Sequence, residues 1–320
     1  MPTPSDTPPG QQAPLRVLQV AHVPPEEAGQ PPWLVEPLWA HQAVGVLGGS
    51  PKCCKTYLAL EMALAVATGA PCLGRFRVAD PGPVLLFAAE DAPLQIRARL
   101  AGLARARGID FDTLPVFLIL TAQLRLDLEQ DLARLVEAID AHQPRLLILD
   151  PFVRLHRLDE NSAREISALL AQLRALQRRF GLAVLLVHHT RKTNGQACGQ
   201  DLRGSGDLHA WGDSNLYLHR RHDQLRLTVE HRAAPAPEPV GLTLSGAPAH
   251  LQVVDSPPPP LQHADLEQQL LAALRGRAPL TQAQLRGLLK VRNQSLTGVL
   301  HQLRATGRIS RSADGWTLPE

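Results

Sequence analysis

No apolar run in the chain approaches the roughly 18 residues that would span a bilayer, so no segment reads as a transmembrane helix. The N-terminus, Met1 to Leu15, is rich in Pro and Gln. It has no basic stretch followed by an apolar core, so it does not read as a signal peptide. The expectation is a cytoplasmic protein with no membrane partner. Four cysteines in 320 residues are too few for a disulfide framework, and none forms a C-x-x-C pair. Cys72 and Cys198 read as structural or incidental. Lysine is scarce: four of the 33 basic residues, the rest being Arg. Ala, Pro, Leu and Arg are all abundant, a pattern of GC-rich coding that discounts the Arg count. The net charge of +3 does not by itself demand a nucleic-acid partner. Residues 261–320, however, carry eight Lys and Arg against four Asp and Glu, a local surplus larger than that of the whole chain.

What is present begins at residues 48–56, Gly-Gly-Ser-Pro-Lys-Cys-Cys-Lys-Thr. An apolar run (Ala43 to Leu47) precedes them and a helical pattern (Tyr57 to Ala67) follows. Strand, loop and helix in that order form the setting of a phosphate-cradling loop. Backbone amides and a helix N-terminus surround the phosphates there. Lys55 suits the point charge on the outer phosphates and Thr56 the hydroxyl that ligates Mg²⁺. Gly49 opens the loop, and Gly49, Ser50, Pro51, Lys52, Cys53, Cys54, Lys55, Thr56 and Tyr57 make up the predicted nucleotide-binding stretch. The usual pattern has Gly before the Lys, where this chain has Cys54. Cys is small and is expected to be helix-compatible there, so ATP binding should survive, with hydrolysis less secure. A thiolate beside Lys52 and Lys55 should also have a lowered pKa, which raises redox control through Cys53 or Cys54.

Apolar runs and amphipathic helices alternate from Trp33 onward. Strands are expected at Pro83–Ala88, Val116–Leu120, Leu146–Leu149 and Ala183–Val187, with helices at Leu94–Arg107, Leu128–His142 and Ala163–Phe180. This predicts an α/β fold with a mostly parallel sheet covered on both faces. Short strands at Asn215–Leu218, Gln224–Val229, Val240–Leu244 and His250–Val254 predict an antiparallel extension. The expected organisation is a disordered segment (1–30), an ATPase domain (31–255), a Pro-rich linker (256–263) and a small second domain (264–320).

Four further segments end where ligands bind in open α/β sheets. Glu90-Asp91 follows the run from Leu85, and Asp150 ends the run from Leu146. His188 and His189 follow Leu185–Val187, and Arg203-Gly204-Ser205 follows a polar loop. Each has an ordinary alternative: Asp150 as a helix N-cap, Glu90 as a solvated acid at a helix start, the histidines as polar strand ends, Arg203 as a surface Arg. Arg97 and Arg99 read as a solvated helix face.

As an ordered set, Trp33-Leu-Val-Glu36, the phosphate loop, Ala89-Glu90-Asp91, the Asp150 strand, His188-His189 and Arg203-Gly204-Ser205 resemble the RepA-like branch of the RecA-type P-loop ATPases. Its best-known member is a hexameric replicative DNA helicase. The resemblance spans Trp33 to Leu218. It implies a RecA-like core that uses ATP and Mg²⁺, with Glu90 as general base, Asp150 supporting the metal (often through water) and His189, or less readily His188, sensing the terminal phosphate. It also implies that Arg203 is inserted as a finger into a neighbouring subunit's site, hence assembly into a homo-oligomeric ring. A small-molecule kinase fits poorly, because no cluster of Arg forms a lid.

The last 60 residues predict three helices and a hairpin. Leu266, Leu270, Leu271 and Leu274 mark the first helix. A Thr281/Gln284 capping box opens the second, and Leu296, Val299, Leu300 and Leu303 mark the third. This pattern resembles a winged helix-turn-helix. Arg292, Asn293, Gln294, Ser295 and Thr297 would face DNA from the third helix, and Arg308 and Arg311 from the hairpin. Arg191 and Lys192 open the polar loop 191–202, which would touch single-stranded DNA. That loop has no aromatics for base stacking. Two functions follow: an ATP-driven, helicase-like motor or DNA-maintenance ATPase, or a nucleotide-gated regulator that binds DNA with little hydrolysis.

Overall fold

The computed structural model describes residues 17–22, 32–160, 162–189, 207–221, 224–254, 261–275, 279–289, 291, 293–312 and 314–318. A short antiparallel hairpin, β1 (Trp33–Val35) with β2 (Trp39–Ala40), comes first. Then follow β3 (Val44–Gly49), α1 (Lys55–Thr68), β4 (Val84–Ala88), α2 (Pro93–Arg107), β5 (Val116–Leu118), α3 (Glu129–His142), β6 (Leu146–Asp150), α4 (Ala163–Phe180) and β7 (Ala183–His189). The helix α5 (Asp207–Trp211) leads into β8 (Ser214–Arg221), β9 (Gln224–His231), β10 (Val240–Ser245) and β11 (His250–Val254).

Among the described residues these strands make one nine-stranded sheet, ordered β11-β10-β9-β8-β3-β7-β6-β4-β5. From β8 to β5 the strands run parallel; from β8 to β11 each antiparallel strand pairs with the next. The period-2 alternation of side chains splits the parallel strands between two cores. Val84, Leu86, Leu146 and Ile148 pack with α1 and α2, while Leu85, Phe87, Leu147 and Leu149 pack with α3 and α4. Both faces are covered, so the central strands read as unbroken apolar runs.

The helix α1 is buried from Leu58 through Val66 and carries one buried acid, Glu61. Arg107 on α2 answers it: Nη2 donates to both Glu61 carboxylate oxygens (3.1 and 3.2 Å) and to the Leu251 carbonyl at 3.1 Å. That contact ties α1, α2 and β11 together. By contrast, α4 is amphipathic: Ile166, Leu169, Leu170, Leu173 and Leu176 face the core, and Gly181 closes the helix in the left-handed region at φ 62°.

The C-terminal residues form α6 (Leu261–Leu274), α7 (Gln282–Leu289), α8 (Asn293–Ala305) and a hairpin of β12 (Ser310–Ser312) and β13 (Gly315–Thr317). They enclose a core of their own around Leu270, Leu285, Leu296, Leu300, Ile309 and Trp316. The expected capping box is present and reciprocal: Thr281 N–H donates to Gln284 Oε1 (2.9 Å) and Gln284 N–H to Thr281 Oγ1 (3.3 Å).

Two boundaries differ from expectation. The helix α6 starts at Leu261, inside the span read as linker, because helical geometry extends ahead of the first apolar contact at Leu266; residues 255–260 lie outside the described residues. Within the span read as disordered, Val20–His22 form a 3₁₀ turn. No helix among the described residues is long and apolar enough to cross a membrane.

Candidate active site

The sheet order brings the chemistry-bearing strand ends side by side. In register, Gly49 stands opposite His189 and Leu218, and Ala88 stands opposite Asp150. Gly49 is dictated by space. A Cβ there would lie 2.5 Å from the Leu218 carbonyl oxygen and 2.6 Å from Cys53 Sγ. The loop 50–54 then turns into α1, and Lys55 folds back over it. Its ammonium donates to the carbonyls of Gly49 and Ser50, both at 2.9 Å, and meets His189 Nδ1 at 3.2 Å.

One residue further along α1, Thr56 Oγ1 donates to Asp150 Oδ2 at 2.8 Å. Asp150 is followed by Pro151 and a 3₁₀ turn, so its carboxylate serves Thr56 rather than capping a helix. Glu90 and Asp91 stand at the rim. Glu90 Oε1 accepts from Arg154 Nε at 3.0 Å, and Asp91 Oδ2 from Arg99 Nη1 at 2.6 Å. A cleft of about 320 Å³ joins Lys52, Lys55, Thr56, Glu90, Asp150 and His189.

The electrostatics favour an anion with a cation beside it. Lys55 is buried, which pulls its pKa down from the ordinary lysine value. Its direct partners are two carbonyls, an imidazole and the Cys53 thiol at 3.9 Å, with no carboxylate among them. Asp150 and Glu90 act on it through space, and a phosphate would give it a direct anionic partner. Burial pushes the Asp150 carboxyl up to about 6, against the lowering effects of the Thr56 hydroxyl and of Lys55. A cation at that carboxylate would reverse the shift. The Thr56 hydroxyl and one carboxylate are hard oxygen donors but only two. That set fits Mg²⁺, which keeps most of its waters and takes phosphate oxygens.

Cys54 corrects a sequence expectation. It precedes α1 at φ 69°, ψ 25°, in the left-handed region rather than a helical one. Gly is favoured at this point because the backbone turns left-handed, which costs an L-residue about 1–2 kcal/mol. Lys52 also has a positive φ, 63°. The thiols also differ from expectation: burial raises both Cys53 and Cys54 above the ordinary cysteine value, outweighing Lys55. They are therefore poor thiolates, which removes the basis for redox control here.

The family AAA_25, described as AAA domain, matches residues 11–195, more than half of the chain. The chain belongs to this family of RecA-like P-loop ATPases. Two solved structures share the fold. The RadB recombinase superposes with a TM-score of 0.50 at 15% identity, covering 67% of this chain and 92% of that one. A KaiC-like protein of the hyperthermophilic archaeon Pyrococcus horikoshii gives 0.50 at 17%, covering 69% and 93%.

In this RecA-like ATPase, Lys55, Thr56, Glu90, Asp150 and His189 meet at one cleft. His188 does not. Strand alternation turns it to the other face, 1% exposed and edge-on to Phe152. Arg191, Lys192, Arg203 and Arg292 lie outside the described residues, as do the side chains of Asn293, Gln294 and Ser295. Thr297 accepts a hydrogen bond from Gln282 Nε2 (2.8 Å), Arg308 pairs with Glu267, and exposed Arg311 lies over the Trp316 ring.

Sequence reasoning misassigned Arg99 and missed two other arginines. Arg99 is not a solvated side chain: it pairs with Asp91 and stacks 5.4 Å from the Tyr57 ring centroid, lining the cleft. Arg97 lies over Phe111 instead. Arg154 pairs with Glu90, and Arg220 on β8 donates to the Lys52 carbonyl at 3.2 Å. Nothing local in the sequence marks these residues, because each partner is distant along the chain or sits across a loop.

Proposed function

We propose that the protein binds ATP with Mg²⁺ over the loop 49–57 and hydrolyses it, and that the cycle drives work on DNA. The observation that carries this reading is the meeting of Lys55, Thr56, Asp150, His189 and Glu90 at one cleft on neighbouring strand ends. Lys55 exchanges its carbonyl partners for phosphate oxygens. Thr56 and Asp150 would hold Mg²⁺, which neutralises charge on the phosphates when bound. His189 touches the Lys55 ammonium and so reports whether the terminal phosphate is in place. Glu90 orients the attacking water and takes its proton.

Arg203 supplies the remaining positive charge from a neighbouring copy, so hydrolysis requires assembly into a ring. Such an Arg is worth about 10³–10⁵ in rate. The C-terminal helices and hairpin act as a winged helix that docks on DNA through α8 and Arg311. The loop 191–202 contacts single-stranded DNA. The setting is replication or maintenance of a DNA element by a helicase-like motor.

A second reading has one observation in its favour. Glu90 is held by Arg154 in the resting site, which suits a nucleotide-gated DNA-binding regulator with slow turnover. ATP turnover by the purified full chain, with and without single- and double-stranded DNA and with Glu90→Gln as control, tests both. DNA-stimulated turnover lost in Glu90→Gln, together with strand displacement, supports the motor. Sequence-specific duplex binding with negligible turnover supports the regulator. Absence of Mg²⁺-assisted ATP binding removes both.

A further inference from the structure

A second cleft, about 520 Å³, adjoins the first at Glu90. It is lined by Phe87, Gln123, Val153, Arg154, His156 and Arg157, with Glu90 shared between the two clefts. Arg125 also reaches it but is held by Asp127. Exposed Arg157 has no ion-pair partner among the described residues.

His156 is the informative residue. It is 6% exposed, and neither ring nitrogen has a hydrogen-bond partner. The Leu158 backbone lies close, but outside bonding geometry. Phe152 packs on the ring at 4.7 Å. Burial keeps the imidazole neutral, so one nitrogen donates and the other accepts. Buried polar atoms are almost always satisfied, and an orphan that lines a cation-rich cleft points to a ligand.

The link to the active site is the Arg154–Glu90 pair. Both side chains are solvated, 61% and 47% exposed, so the pair is weak and readily exchanged. A phosphate accepts two parallel hydrogen bonds from a guanidinium and competes directly with a carboxylate for it.

We infer that this cleft binds a phosphate group, from a polynucleotide or a free nucleotide, and that its occupancy draws Arg154 off Glu90 and frees the carboxylate to orient water. The gating half rests on the reading of Glu90 as the water-orienting base; the binding half does not. Arg154 is thus a positioning residue that restrains Glu90 while the cleft is empty.

The test uses the full chain with its nucleotide pocket saturated by ADP. Binding of a fluorescent oligothymidylate is followed by anisotropy, and binding of thymidine 5′-monophosphate by calorimetry. Arg157→Ala should weaken binding of at least one probe about tenfold, the loss of one charge-assisted hydrogen bond, while ADP affinity is unchanged. His156→Leu should act in the same direction. Loss with oligothymidylate alone assigns the phosphate to a polynucleotide; loss with the monophosphate as well assigns it to a free nucleotide. Arg154→Ala should turn over ATP without probe at the probe-stimulated rate of the parent and respond no further. The binding inference is overturned if neither probe binds, or if both bind Arg157→Ala as tightly as the parent. If Arg157→Ala loses the probe but no form hydrolyses ATP, the cleft stands while the role of Glu90 falls and the gating with it. If ATP is hydrolysed but Arg154→Ala behaves as the parent, the gating alone is overturned.

Discussion

The hydroxyl of Thr56, on the first turn of α1, donates to the Asp150 carboxylate at the tip of β6 across 2.8 Å. This bond joins a helix start to a strand end 94 residues away, and it holds a buried carboxylate whose desolvation outweighs the help of Thr56 and Lys55.

Asp150 therefore costs stability in the nucleotide-free protein. Its folded pKa of about 6 lies above the ordinary 3.8. Below about pH 4 both states are protonated and nothing is lost. Between about pH 4 and 6 the folded state keeps a proton that the unfolded chain has released, so stability falls as pH rises. Above about 6 the full penalty, about 3 kcal/mol, is present. Asp150→Asn should be more stable than the parent by up to about that amount at neutral pH, with the gain vanishing near pH 4. Thermal unfolding across pH measures this. Mg²⁺-assisted ATP binding should weaken in the same variant.

Cys54→Gly removes a side chain from the left-handed region. Relief of about 1–2 kcal/mol is offset by about 0.5–1 kcal/mol of extra chain entropy in the unfolded state. The expected result is a gain in stability of no more than about 1.5 kcal/mol. The ATP dissociation constant should change less than tenfold by calorimetry. An unstrained Cys54 predicts the opposite sign in a denaturant titration, a loss on substitution by Gly.

Arg107→Ala strands Glu61, whose side chain is 2% exposed. Removing one partner of a buried pair costs about 3–5 kcal/mol. Burial already raises the Glu61 pKa. The deficit should therefore shrink in mildly acidic buffer, as Glu61 takes up a proton and ceases to be a buried charge. Urea unfolding at two pH values checks both the size and the trend.

Thr281→Ala removes the hydroxyl that accepts the Gln284 N–H at the start of α7, while the backbone N–H of residue 281 can still donate to Gln284. The expected cost is about 1 kcal/mol. It should appear as faster amide exchange in α7 and α8, with β3, β6 and β7 unchanged.

The legible parts of the sequence were those written in period and punctuation. The apolar stripe of α4, closed by Gly181, gave its ends, Ala163 and Phe180, correctly. The runs ending at Asp150 and His189 were readable as buried strands, and the Thr281–Gln284 spacing as a cap. The strand order was not legible, and it decides which tips become neighbours. Nor was the backbone at Cys54 legible, since nothing about a cysteine announces positive φ. The Arg154–Glu90 pair joins residues 64 positions apart, and Arg99 reaches Asp91 across a helix start. Such contacts are set by tertiary geometry alone.

β8 belongs to two neighbourhoods at once, parallel to β3 on one side and antiparallel to β9 on the other. Through Arg220 it also grips the carbonyl of Lys52. A ligand that reshapes the loop at Lys52 must carry that grip with it or break it. The far meander is thereby wired to the seat of the triphosphate, and a tug at one end is felt at the other.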